Sequence, residues 1–132
     1  MTKYELQART KKFNVDVTKL CSLFPKNAAG FETAKQLIRS AGSVGANYRA
    51  ACRGKSSADF IYKIEVVLEE ADESLYWLQV SKEAVLVPVD SDVDNLINEA
   101  TELVKIFNAT DLTAKKNRVE KEPKITKSQN QK

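Results

Sequence analysis

Apolar residues recur at helical spacing in four separate stretches of the chain. Leu6, Phe13, Val17, Leu20 and Phe24 follow one another at steps of seven, four, three and four. This predicts an amphipathic helix over residues 3–24, closed by Pro25. A second stripe holds Ala34, Leu37, Ile38, Ala41, Val44, Gly45, Tyr48 and Cys52 within a sector of about 120°, predicting a helix over about 31–53. Gly54 then stands where a left-handed C-terminal cap is expected. Ser56 with Asp59 resembles a capping box and opens a third helix, whose stripe of Phe60, Ile61, Ile64, Leu68, Ala71, Leu75 and Leu78 carries it to about residue 86. Pro88 breaks the chain. Ser91 with Asp94 gives a second capping signal, and Val93, Leu96, Ile97, Ala100, Leu103, Val104 and Phe107 form the fourth stripe.

Short connections between such helices imply antiparallel neighbours. An up-down-up-down four-helix bundle buries all four stripes together. The expected fold is therefore all-α, with the bundle over residues 1–112 and a disordered basic tail over 113–132, where the periodicity stops and lysine dominates. Scarce glycine (4) and proline (3) agree with a helical chain and leave no sheet signal. The apolar runs are short and broken by charge, so neither a membrane span nor a signal peptide is expected, and the reading is cytoplasmic. Cys21 and Cys52, each at or beside an apolar stripe, read as small buried hydrophobes, not as a disulfide.

Candidate chemistry is thin. The chain has no histidine, which removes the usual general base near neutral pH and the commonest metal ligand. It also lacks a glycine-rich phosphate loop and a paired-cysteine motif, so no nucleophile, cofactor or metal site is nominated. The carboxylates Glu69, Glu70, Asp72 and Glu73 read as an acidic face. Glu70 flanks the core and is placed to meet Lys63 or an arginine of the second helix.

Charge changes the picture more. The formal net charge of +3 hides a strongly basic segment, 35–63, with a net of +5, and a strongly acidic one, 64–102, with a net of −10. On the second helix Lys35, Arg39, Arg49 and Arg53 project within about 80° of one another, with Gly42 and Ala46 between them. Together with Lys55 they form a basic strip suited to nucleic-acid phosphates, for which a plain solvated face is the alternative. Ser40, Ser43, Asn47 and Ala51 lie on the flank of that helix, where small side chains allow close helix contact. On the third helix, Val66 and Trp77 fall about 130° from the centre of the apolar stripe. A monomer's core accounts poorly for them, and they point to a subunit interface.

The stretch LIRSAGSVGANYRAACRGKSSADFIYKIEVVLEEADESLYWL resembles the four-helix bundle proteins related to those encoded by intervening sequences in bacterial 23S rRNA genes. The resemblance is carried by Arg39-Ser40, Ser43-Val44-Gly45-Ala46-Asn47, Arg53-Gly54-Lys55-Ser56, Asp59-Phe60 and Glu70 through Leu78. Many relatives have Glu-Gly or Glu-Ala after the asparagine, where this chain has Tyr48-Arg49, so an acidic partner is missing here. The resemblance implies a homopentameric ring without known enzymatic activity that acts as a scaffold for nucleic acid or ribonucleoprotein. A similar bundle is the accessory protein of diversity-generating retroelements, which contacts a reverse transcriptase and nucleic acid. Two readings therefore stand: an oligomer binding RNA or DNA through Lys35, Arg39, Arg49, Arg53 and Lys55 with little sequence preference, its packing surfaces holding Ser40, Ser43, Asn47, Val66, Glu70 and Trp77; and an adaptor for a protein such as a reverse transcriptase.

Overall fold

The computed structural model of the chain describes residues 1–121, and over these residues it consists of four α-helices with no strand: α1 (Lys3–Cys21), α2 (Ala28–Ala51), α3 (Ser57–Glu83) and α4 (Val93–Lys121). Local chemistry starts three of them. At α1 the Thr2 hydroxyl accepts from the Glu5 N–H at 3.1 Å while the Glu5 carboxylate accepts from the Thr2 N–H at 3.0 Å, a reciprocal capping box. Asn27 caps α2 by accepting from the Gly30 N–H at 2.9 Å, and Ser56 caps α3 by accepting from the Asp59 N–H at 3.1 Å. Each helix packs against its neighbours in sequence and α4 closes on α1, which gives the expected antiparallel up-down-up-down order. None of the described helices is long and apolar enough to cross a membrane.

The four stripes meet in one core. Phe13 and Val17 of α1, Leu37 and Val44 of α2, Ile64, Val67 and Leu78 of α3, and Leu103 and Phe107 of α4 are fully buried. Each contributes about 1.5–3 kcal/mol by leaving water. Tyr48 tilts against Phe107 with ring centroids 5.3 Å apart. Polar side chains also enter the seam, hydrogen-bonded as burial requires. The hydroxyls of Ser40 and Ser74 lie 3.0 Å apart across the α2–α3 contact, and Ser81 donates to the Trp77 carbonyl at 2.7 Å. Where α1 turns into α2, a Cβ on Gly30 would sit 1.8 Å from the Pro25 carbonyl oxygen, so only glycine fits.

The element boundaries differ from the sequence expectations for identifiable reasons. α1 ends at Cys21, three residues early, because tight i→i+3 bonds from Leu23 and Phe24 turn the chain while Phe24 stays in the core. α2 begins at Ala28 because Asn27 supplies the cap. Gly54 is not left-handed: no described glycine has positive φ. A Cβ there would instead meet the Asp59 carboxylate at 2.8 Å and the Ala51 carbonyl at 3.0 Å. The left-handed cap belongs to Val85, at φ 55, which ends α3 with Leu86 N–H on the Ser81 carbonyl and Val85 N–H on that of Lys82. Ser91 does not cap α4. Its buried hydroxyl has no partner, and Asp92 stands before the helix and accepts from the Asn95 amide at 2.6 Å.

The largest correction concerns the domain boundary expected at 112. α4 continues nine residues further, to Lys121. Asp111, placed in the buried seam, pairs with Lys115 at 2.9 Å, and Lys115 also reaches Glu65 of α3. The turn after the last apolar position is thus tied down by charge. The rest of the expected disordered tail, 122–132, lies outside the described residues.

Candidate nucleic-acid interface

Sorting the cations by whether they have an acidic partner separates two groups. Arg9, Lys12, Arg39, Lys63, Lys82, Lys105 and Lys115 sit in ion pairs. The firmest is the fork of Arg9 on Glu99, at 2.6 and 2.8 Å, which ties α1 to α4 and holds the Arg9 guanidinium above its usual pKa. Lys3, Lys11, Lys19, Lys26, Lys35, Arg49, Arg53, Lys55 and Lys116 are exposed and have no such pair among the described residues. Lys35, Gly42 and Arg49 follow at seven-residue intervals along one face of α2, spanning about 21 Å, and Arg53 and Lys55 continue the strip past the helix end.

Arg39 leaves this strip. Its guanidinium turns to α3, where it lies 3.2 Å from a Glu70 oxygen and also pairs with Glu73. A shared exposed face of one helix says nothing about which neighbouring helix holds carboxylates, and here α3 does. Glu70 therefore meets an arginine of α2 as expected, and Lys63 pairs with Asp59 instead.

Two of the unpaired cations, Lys11 and Arg49, line a groove of about 450 Å³ between α1 and α2. Tyr4, Gln7, Lys11 and Asn14 line it from α1, and Gly42, Gly45 and Arg49 line it from α2. Gly45 brings the two backbones together: a Cβ there would lie 3.4 Å from the Thr10 carbonyl carbon and oxygen. Gly42 has more room, since its Cβ would stand 3.6 Å from the Asn14 amide, an ordinary contact. Helix packing therefore does not demand glycine at 42, although it weakens the helix by about 1 kcal/mol relative to alanine. Tyr4 is 69 % exposed, with Lys3 Nζ 5.2 Å from its ring centroid. The α1 side of the groove was missed at sequence level because no spacing within one helix reveals a surface shared by two. Tyr4, exposed about two turns before Lys11, was its only trace.

The residues expected at packing surfaces divide. Ser40 is fully buried and serves the contact between α2 and α3 through Ser74. Asn47 donates to the Ser43 carbonyl and hydroxyl at 2.9 and 2.7 Å, so these two bond along α2. Trp77 is half-buried against the core and meets Tyr76 edge-on at 5.0 Å. Its shielded indole N–H nonetheless has no acceptor. Val66 is half-buried beside exposed Tyr62, Glu65 and Glu69. Ile38, read as core, is 40 % exposed. The thiols are unlinked, and burial pushes that of Cys21 up to about 11. Among the described residues no group of three His, Cys, Asp or Glu side chains comes together as a metal site.

The fold recurs in a solved structure. The chain is 29 % identical to a protein of unknown function from the S23 ribosomal protein family of Bacteroides thetaiotaomicron, with a TM-score of 0.74, over 83 % of this chain and 97 % of that one. A comparison with curated proteins gave no match. The sequence profile of the 23S rRNA-intervening sequence proteins matches residues 2–109, which takes in all of α1, α2 and α3 and most of α4, and the chain belongs to that family.

Proposed function

We propose that this protein is a non-enzymatic, oligomeric bundle that binds RNA or DNA through the α1–α2 face with little sequence preference. One observation carries the reading: of the nine exposed cations without an acidic partner among the described residues, eight, Lys11, Lys35, Arg49, Arg53 and Lys55 among them, belong to α1, α2 and the connections that follow them, and the ninth is Lys116 of α4. An unpaired cation has its full charge available to a phosphate, and the affinity it supplies is independent of base identity. The acidic outer surface of α3, with Glu65, Glu69 and Asp72 exposed, confines that binding to the opposite side of the bundle.

Association of copies follows from the same charge separation. A basic α1–α2 face and an acidic α3 face on one molecule are complementary between molecules, and such a head-to-tail contact closes into a ring when the rotation permits. The unsatisfied indole N–H of Trp77 and the exposed Tyr62 and Tyr76 lie on the acidic side. A homopentamer is the ring we favour, from the likeness of the sequence to ring-forming bundles. Repetition around an axis would multiply weak phosphate contacts. The exposed tyrosines among carboxylates favour a second use of α3, as a docking face for a basic protein such as a reverse transcriptase. The test is titration of generic RNA and DNA at two salt concentrations. Binding whose affinity falls as salt rises supports the phosphate reading; binding indifferent to salt, or none at low salt, overturns it.

A further inference from the structure

Resting on that nucleic-acid reading, we infer that the groove between α1 and α2 is a slot for single-stranded nucleic acid, in which Tyr4 stacks on an unpaired base while Lys11 and Arg49 hold the adjoining phosphates. Three independent features converge on it. The groove, at about 450 Å³, is a concave space between two helices. A volume of this size suits one base with its sugar, and stacking on Tyr4 needs a base that is not already paired and stacked in a duplex. Its two cations, on opposite walls, lack acidic partners among the described residues, so the site is built for negative charge. Its rim carries an exposed aromatic ring, the element that single-strand binders add to a basic track because every base has a face to stack.

Gly42 supplies the fourth argument. Neither a positive φ nor a packing clash requires glycine at this mid-helix position, because a Cβ would make only ordinary contact with Asn14. A side chain there would however rise from the floor of the groove between Lys11 and Arg49. An open floor is what the glycine secures. The amides of Gln7 and Asn14, also in the lining, offer donors and acceptors to a base edge without selecting one base.

The test uses the full chain and labelled oligouridylate and oligothymidylate of about ten nucleotides, with a duplex of equal length beside them, all at low salt. Single strands are expected to bind more tightly than the duplex. Tyr4→Ala should weaken single-strand binding about tenfold and leave the duplex unchanged, while Tyr4→Phe restores it. Gly42→Leu should weaken it at least as much, with helicity retained. Equal affinity for single strand and duplex, or an unchanged Tyr4→Ala variant, overturns the slot. If binding then still falls on reversing Lys11 and Arg49, the broader reading survives without it; if no nucleic acid binds the parent at all, both fail.

Discussion

Gly42→Ala separates a glycine kept for packing from one kept for an open surface. In the helix interior alanine is worth roughly 0.5–1 kcal/mol more than glycine, and at position 42 nothing opposes that gain: the new methyl would stand 3.6 Å from the Asn14 amide. The protein should therefore become more stable by about 0.5–1 kcal/mol. With a urea dependence of about 2 kcal/mol per molar, the unfolding midpoint by circular dichroism moves up by roughly 0.3–0.5 M. Two other glycines calibrate the result at one protein concentration. Gly45→Ala places its methyl 3.4 Å from the Thr10 backbone, at the tight edge of ordinary contact, so its gain in helix propensity should be the smaller of the two. Gly30→Ala drives a methyl into the Pro25 carbonyl, 1.8 Å away, and should lower the midpoint by more than Gly42→Ala raises it. A destabilised Gly42→Ala, or a Gly45→Ala that gains as much, would refute the reasoning.

Further outcomes follow from single features. Val85 holds a left-handed conformation with its side chain 72 % exposed. Val85→Gly removes about 1–2 kcal/mol of backbone cost against roughly 0.5–1 of added freedom in the unfolded chain, so a net gain near 0.5–1 kcal/mol is expected in urea unfolding, and a loss contradicts it. Burial raises the Cys21 thiol to about 11, so at pH 9 the folded protein keeps it protonated when an unfolded chain would ionise it. Alkylation mapped to Cys21 should be slower in the folded than in the denatured chain. The stability that the shift contributes is fully present below the ordinary thiol range and is lost as pH rises towards 11; equal alkylation rates would contradict the burial. Trp77→Ala should give smaller particles than the parent in light scattering, and an unchanged mass would remove Trp77 from the proposed subunit contact.

The helices were legible because large apolar side chains marked them, and the errors trace to polar residues in buried places. Ser74 and Ser81 occupy the α3 seam with hydroxyls bonded within the helix and to Ser40. Read as polar, they pull the apparent stripe towards Leu68 and Leu75, which are only half-buried, and leave out Val67, which is fully buried. Val66 and Trp77 then look further from the core than they are. Asp111 acts likewise at α4, where a carboxylate in the seam looks like the end of a helix but is held by Lys115. On the candidate surface, the cations of α2 were visible in the sequence. The diversion of Arg39 to α3 and the contribution of Tyr4, Lys11 and Asn14 were not, since both depend on which helices become neighbours.

The most direct test of the proposed interface compares two charge-reversed proteins in the same salt titration with generic RNA. Lys11→Glu with Arg49→Glu, at cations that no carboxylate holds, should abolish binding at low salt with helicity intact. Arg39→Glu, at a cation already held by Glu70 and Glu73, should lower stability through repulsion while the folded protein binds as before. The opposite ranking, or two variants that bind as the parent does, would contradict the assignment of the α1–α2 face.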